Sequence, residues 1–282
     1  MKITHGKRIV VTGAASGLGR ALALALARRG CRVAAADINL DGARETLEKV
    51  QEEGGTGEAY RLDVTRPGEV EAMAEHFFKN WGGVDLLVNN AGIAVVGLVG
   101  RVALEDWRRV LNVNFWGMVY GCHSFIPRMK AQGGGHILNV ASAAGLLSMM
   151  EMAPYNTSKA AVVSLSETLR VELAPHRIGV TVLCPMFFKT GLLDTMTYTE
   201  EFEREFSHAC FDHGRMTAEQ VAEAAIRAVE KDRLYCVPQL SGRALWFHKR
   251  ICPSLHYGQM AFFHRRNWAR PLLLWLGRRG LL

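Results

Sequence analysis

The sequence predicts an α/β fold, a doubly wound parallel sheet of seven strands in a single domain, on three observations. Short apolar runs alternate with helical segments along most of the chain. Those runs are apolar at successive positions rather than at every second one, and the first breaks into a glycine-rich turn that opens a helix. A strand with no alternation is one buried on both faces, as in a parallel sheet covered by helices on each side. A chain of 282 residues with 49% apolar content is long enough to bury such a core as one unit.

The first strand runs from Lys7 to Thr12 around Ile9-Val10-Val11, and breaks at Gly13-Ala14-Ala15-Ser16-Gly17-Leu18-Gly19 before an Ala/Leu helix. Three glycines at a strand-to-helix junction let the backbone turn tightly and approach a pyrophosphate, while the helix N-terminus aims amides and dipole at its charge. The spacing Gly-x-x-x-Gly-x-Gly departs from the Gly-x-Gly-x-x-Gly dinucleotide fingerprint, so the turn alone is a weak signal. Context strengthens it. The second strand, Cys31 to Ala36, ends in Asp37, and an acid about 20 residues beyond the turn is where a ribose 2′-hydroxyl is held. Asp37 points to NAD, because a carboxylate repels the phosphate of NADP and neither Ser16 nor Ile38 supplies a compensating charge. The alternative, that Asp37 caps the helix beginning near Asp41, competes with Asn39 and Asp41, which lie closer. Further strands are expected at Val84 to Val88, His136 to Val140, Val180 to Cys184 and Leu234 to Val237.

Tyr155-Asn156-Thr157-Ser158-Lys159 carries the chemistry. On a helix it stacks a phenol and an ammonium on one face, four residues apart. A phenol has a pKa of about 10, so removing an alcohol proton near neutral pH asks for roughly 4 kcal/mol of phenolate stabilisation. A cation about 4 Å away supplies about that much at an effective dielectric of 20. Tyr-x-x-x-Lys also arises by chance on surface helices, but only this one of the six tyrosines has lysine at the fourth following position.

Together these residues resemble the short-chain dehydrogenase/reductase family in its common form of about 250 residues, over residues 5 to about 237. The resemblance extends to Asp63-Val64, Asn89-Asn90-Ala91-Gly92, Asn112-Val113-Asn114, Ser142, and Pro185 with Thr190, all in the family's order. It implies a Rossmann-type sheet in strand order 3-2-1-4-5-6-7 and an oxidoreductase that moves a hydride between a nicotinamide and an alcohol or ketone. Tyr155 would be the general acid/base, Lys159 would lower its pKa and hold the nicotinamide ribose, and Ser142 would orient the substrate oxygen. Asn114 would hold a water linking Lys159 to solvent. Gly13, Ser16, Gly17, Leu18, Gly19, Asp37, Asp63, Val64, Asn90, Ala91, Gly92, Pro185 and Thr190 would bind cofactor with Tyr155 and Lys159. Asp63 would face the adenine amino group and Thr190 the carboxamide. One departure stands out: the family usually has Pro-Gly where this chain has Pro185-Met186. A homodimer or homotetramer is expected, pairing the helices at Leu104 to Ala131 and Tyr155 to Leu173.

Residues 187 to 214 match the family's substrate lid and include Phe187, Phe188, Leu192, Leu193, Met196, Tyr198, Phe202, Phe206 and Phe211. With Leu146, Leu147, Met149 and Met150 they suggest a hydrophobic pocket, although packing of a lid helix accounts for part of the set. A steroid, retinoid, long-chain or aryl secondary alcohol fits such a wall. The competing readings are an NADP-dependent carbonyl reductase and a non-catalytic dinucleotide-binding regulator on the same fold. A regulator is expected to lose Tyr155 or Lys159, and both are present.

The catalytic and dinucleotide-binding part is expected to span 1–239, followed by a basic, aromatic extension at 240–282. That extension holds eight lysines and arginines and no acid, so the formal charge of +7 resides entirely there. Its Trp246, Trp268, Trp275, Phe247, Phe262 and Phe263 suit either an anionic membrane surface or a cover over the active-site mouth or a neighbouring subunit. No nucleic-acid recognition motif accompanies it. Six widely spaced cysteines show no metal-ligand spacing, which suggests free thiols, no metal and a reducing compartment. With no secretory signal and no apolar run near 20 residues, a cytoplasmic protein is expected, peripherally membrane-associated if the extension binds lipid.

Overall fold

A computed structural model describes residues 1–282, apart from the side chains of Asp194 and Thr195. Seven parallel strands form the main sheet: β1 (Arg8–Thr12), β2 (Arg32–Asp37), β3 (Thr56–Arg61), β4 (Leu86–Asn89), β6 (Gly135–Val140), β7 (Ile178–Leu183) and β9 (Tyr235–Cys236). Their order, β3-β2-β1-β4-β6-β7-β9, is the expected 3-2-1-4-5-6-7 once the short β5 (Val95–Val96) and β8 (Thr197–Tyr198) are set apart as a second, two-stranded parallel sheet. Strand limits shift by one or two residues from expectation, as hydrogen bonding rather than hydrophobicity sets them.

Neighbouring residues of one strand serve different layers. Ile9 and Val11 enter a core with α1 (Gly17–Ala27), α2 (Leu40–Glu52) and α9 (Ala218–Glu230). Val10 enters the opposite core with α3 (Pro67–Trp81), α5 (Gly117–Ala131) and α7 (Ala153–Glu172). All three side chains are fully buried, which is why the run shows no alternation. α4 (Leu104–Leu111) continues into α5 through a π-helical turn at Asn112–Trp116. Single π turns often mark functional positions, and this one contains Asn114.

The extension at 240–282 folds into α10 (Leu240–Ile251), α11 (Pro253–Arg265) and α12 (Ala269–Arg278), which pack back onto the body. α10 lies against α6 (Ala143–Leu147): Lys249 Nζ donates to Leu146 O at 2.5 Å, and from α11 Tyr257 Oη donates to Leu147 O at 3.0 Å. Leu146 and Leu147 therefore pack toward the extension, not into a substrate pocket. α12 lies against the lid helix α8 (Glu201–Asp212), with Gly277 so close to Cys210 that a Cβ there would meet Sγ at 2.9 Å. The cysteines are all free; five are buried and Cys252 is half-buried. Among the described residues, no helix is long and apolar enough to cross a membrane and no metal-binding group of side chains occurs.

Candidate active site

Parallel strands present their C-terminal ends along one edge of the sheet, and the predicted residues lie just beyond those ends. There they border one cavity of about 470 Å³. Gly13, Ser16, Gly17, Leu18, Gly19, Asp37, Asp63, Val64, Asn90, Ala91, Gly92, Ser142, Tyr155, Lys159, Pro185 and Thr190 all line it. Asn114 is the exception: it is fully buried behind the wall.

The glycine turn after β1 is a cradle that side chains would fill. Gly13 and Gly17 have φ of +67° and +52°, and a Cβ on Gly19 would sit 2.0 Å from the Gly13 carbonyl oxygen. A Cβ on Gly17 would meet Thr190 Oγ1 at 2.7 Å, so the turn also approaches the loop after β7. Asn90 ties the far side, donating from Nδ2 to Thr12 O at 2.9 Å and Gly13 O at 3.1 Å. The turn leads into α1, whose Ser16 N-cap makes no side-chain capping bond. First-turn amides of a helix are natural donors to a phosphate. A dinucleotide pyrophosphate therefore fits the residues present.

Asp37, at the end of β2, accepts the Ala15 N–H on Oδ2 and the Asn39 N–H on Oδ1, both at 2.9 Å. Asn39, not Asp37, caps α2, its Oδ1 accepting the Gly42 N–H at 3.1 Å. The nearby Arg20 is committed elsewhere: it donates to Ala15 O at 2.5 Å and pairs with Glu45 at 3.1 Å. Asp63 accepts the Thr65 hydroxyl at 2.7 Å and amide at 2.9 Å, a local turn that holds its carboxylate at the cavity wall.

Tyr155 and Lys159 stand one turn apart on α7, both buried. Lys159 Nζ lies 5.7 Å from the centre of the Tyr155 ring and donates to Val140 O at 2.9 Å. Burial lowers the lysine to about 8. Burial also pushes the Tyr155 phenol up to about 12, and its hydrogen bond with Ser142 opposes that only in part. This differs from the expected lowering of the phenol by Lys159. In the protein by itself, desolvation of the phenolate is the largest influence on the phenol. Ser142 caps α6 by accepting the Ala144 N–H at 3.1 Å, which fixes its hydroxyl beside the phenol.

Asn114 accepts the Ile93 N–H at 2.8 Å and donates to Ile93 O at 2.9 Å and Ser158 Oγ at 3.0 Å. Its side chain thus pins the loop carrying Gly92. A Cβ on Gly92 would stand 3.3 Å from both Asn114 Oδ1 and Lys159 Nζ, so glycine keeps the space between them open. Ser158 was not foreseen. Its hydroxyl donates to the Tyr155 carbonyl at 2.8 Å, joining α7 to the π turn, and a lone serine inside a helix gives no sequence signal for that role.

Beyond Tyr155 the cavity is walled by Met149, Met152, Phe187, Leu192, Met196 and Phe211. Phe202 and Phe206 instead stack on each other, 6.0 Å between ring centres, on the lid helix. Met186, the departure from Pro-Gly, is buried; Gly242 of α10 makes room for it, since a Cβ there would meet Met186 Cγ at 2.8 Å. Sequence reasoning also missed Glu151, whose carboxylate accepts Arg270 Nη2 of α12 at 3.1 Å. The same nitrogen donates to Glu200, the lid helix cap, at 2.8 Å, and Glu200 also pairs with Arg101.

A dinucleotide cradle joined to a buried Ser/Tyr/Lys cluster defines an oxidoreductase site of the nicotinamide class. The short chain dehydrogenase family model matches residues 7–201, and the chain belongs to that family. It is 34% identical over 258 residues to SadH of Mycobacterium tuberculosis, covering 90% of this chain and 94% of that protein. It is also 34% identical over 190 residues to a cyclohexanol dehydrogenase of Acinetobacter sp., covering 67% of this chain and 76% of that one. A crystal structure of a short chain dehydrogenase/reductase from Burkholderia phymatum in complex with NAD superposes with a TM-score of 0.86 at 32% identity, over 90% of this chain and 96% of that chain. The protein is an oxidoreductase of this family, which binds a nicotinamide dinucleotide.

Proposed function

We propose that the protein is an NAD-dependent dehydrogenase that transfers a hydride between nicotinamide and a hydrophobic secondary alcohol or its ketone. The observation that carries this reading is the continuity of one cavity. It runs from Asp37 and the glycine cradle, past Ser142, Tyr155 and Lys159, to a wall of methionine and phenylalanine side chains. A mostly apolar wall with a few convergent polar groups selects a bulky apolar substrate and orients its one oxygen.

NAD, when bound, would supply the hydride acceptor and a positive charge that favours the phenolate. Asp37 supports NAD over NADP, because its carboxylate is held by two backbone amides and the nearby Arg20 is committed to Ala15 O and Glu45. Tyr155 exchanges the proton with the substrate oxygen, and Ser142 donates to the same oxygen as charge grows on it. Lys159 holds the ribose and offsets phenolate charge. The NAD-bound relative and the cyclohexanol dehydrogenase favour the same assignment.

The test is Tyr155→Phe, assayed by NADH absorbance over a panel of cyclic, aryl and long-chain secondary alcohols and by calorimetric titration with NAD. The expected result is turnover in the wild type that disappears in the variant, with NAD affinity retained within about twofold. A wild type that binds NAD but oxidises none of the panel, and reduces none of the matching ketones, would favour the regulator reading instead.

A further inference from the structure

We infer that the outer face of α10, α11 and α12 is a docking surface for an anionic lipid bilayer. Nine of the fourteen exposed large hydrophobic side chains among the described residues lie between 240 and 282. They are not scattered. α10 exposes Leu240, Phe247 and Ile251, at i, i+7 and i+11, which share one side of a helix. α11 exposes Leu255 and Phe262 at i and i+7, with Arg266 following at i+11. Trp268, Leu272 and Trp275 form the exposed stripe of α12, at i, i+4 and i+7, with Arg279 at i+11. Each helix therefore turns one side to the body and an apolar stripe to solvent.

Two of these stripes meet. Phe262 and Trp268 lie 6.2 Å apart between ring centres, with the Arg266 guanidinium 5.3 Å from the first ring and 5.9 Å from the second. Arg279 covers Trp275 at 4.5 Å, and Arg250 lies 5.7 Å from Trp246. These arginines, with Arg265, have no acidic partner among the described residues, whereas Arg270 and Arg278 are spent on Glu151, Glu200 and Glu205. The segment has no acid of its own.

Charge complementarity and side-chain type choose the occupant. A surface of aliphatic and aromatic groups rimmed by unpaired arginines matches the interface of an anionic bilayer, where rings sit at headgroup depth and guanidinium groups meet phosphates. A second copy of this chain would set arginines against arginines across a two-fold axis. Nucleic acid would leave Leu240, Ile251, Leu255 and Leu272 without partners, because its recognition of single strands relies on ring stacking. An oxidoreductase held at a bilayer would meet apolar substrates where they concentrate, although the docking surface stands without that reading.

The test uses the full chain in flotation with phosphatidylglycerol/phosphatidylcholine vesicles and with phosphatidylcholine vesicles alone, at low and high salt. Two variants accompany it: Phe262→Ser with Trp268→Ser and Trp275→Ser, and Arg250, Arg265, Arg266 and Arg279 each→Gln. Wild type is expected to float with the anionic vesicles at low salt, with a blue shift of tryptophan emission. Binding should fall by about fivefold per arginine removed, and the aromatic variant should stay in the bottom fraction while keeping the wild-type thermal midpoint within a few degrees. The inference is overturned if wild type remains unbound with anionic vesicles at low salt. It is equally overturned if the aromatic substitutions instead halve the molar mass in light scattering, or if single-stranded DNA displaces the protein from vesicles at equal phosphate concentration.

Discussion

Lys159 Nζ donates its hydrogen bond at 2.9 Å to the Val140 carbonyl and not to the Tyr155 phenol, although the two side chains share one face of α7. The ammonium is thus anchored to the sheet before any ligand arrives. It is also costly: burial holds its pKa at about 8 against an ordinary 10.5. At neutral pH the charged form in the folded chain carries a penalty of about 3 kcal/mol, from about 1.36 kcal/mol per pKa unit.

Lys159→Met is therefore expected to be more stable than wild type without cofactor, by about 2 kcal/mol at pH 7 once a lost hydrogen bond of about 1 kcal/mol is subtracted. Between pH 8 and 10.5 the unfolded lysine still binds its proton while the folded one has released it, so wild-type stability rises and the gap closes. Urea midpoints at pH 7 and pH 10 check this. The variant should also lose turnover and weaken NAD binding, whereas Tyr155→Phe loses turnover alone. A variant less stable at both pH values would contradict the assigned cost.

Asp37→Ser removes the carboxylate proposed to face the adenosine ribose while leaving the β2 backbone in place. The ratio of kcat/KM for NAD over NADP is expected to fall at least tenfold, about 1.4 kcal/mol, since one like-charge repulsion and one hydroxyl acceptor disappear together. Initial rates with both cofactors give the ratio directly. No change in it would remove Asp37 from cofactor selection.

Arg270 joins the lid to the extension and to the strained Glu151, whose φ is +59° and whose side chain is 4% exposed. Arg270→Met leaves that carboxylate buried and unpaired, so a loss of about 3 kcal/mol is expected. Adding Glu151→Gln should restore roughly half of it, because an amide costs less to bury than a carboxylate. Thermal unfolding of the two single variants and the double variant measures the coupling. Proteolytic nicking between 200 and 215 should quicken in the first variant, as the lid loses its hold on α12.

His136 is fully buried in β6 and bonded to Thr181 Oγ1 at 2.9 Å, and burial holds its pKa down at about 3. The unfolded histidine binds a proton below about pH 6.5 while the folded one does not, so stability falls with pH through that window. From pH 6.5 to 5 the expected contribution is about 2 kcal/mol. Denaturation curves of wild type and His136→Gln at both pH values should differ by that amount in their pH dependence. Parallel behaviour of the two proteins would place the acid sensitivity elsewhere.

Six of the seven strands and the residues that line the cavity at their ends were legible in the sequence, and the family resemblance supplied the strand order. Most signals were local: an apolar run followed by Gly13-Ala14-Ala15-Ser16-Gly17, by Asp37 or by Asn90-Ala91-Gly92, whereas β3 has no apolar run and only Asp63-Val64 after it marked its place. A parallel sheet gathers the ends of its strands along one edge, so motifs far apart in the chain need no further information to converge. The helical spacing of Tyr155 and Lys159 likewise fixed their shared face.

Tertiary structure alone decided what surrounds them. That Lys159 bonds a carbonyl and that burial governs the phenol depend on the walls around α7, which no spacing encodes. Glu151 meets Arg270 across 119 residues, Met186 finds room only because Gly242 lies over it, and Leu146 turns to α10 instead of the pocket. Such contacts are set by how the last three helices dock on α6, the loop after β7 and the lid, a choice among packings that leaves no periodic trace in the chain. Sequence carries what repeats along a strand or helix, and folding decides which of those surfaces touch.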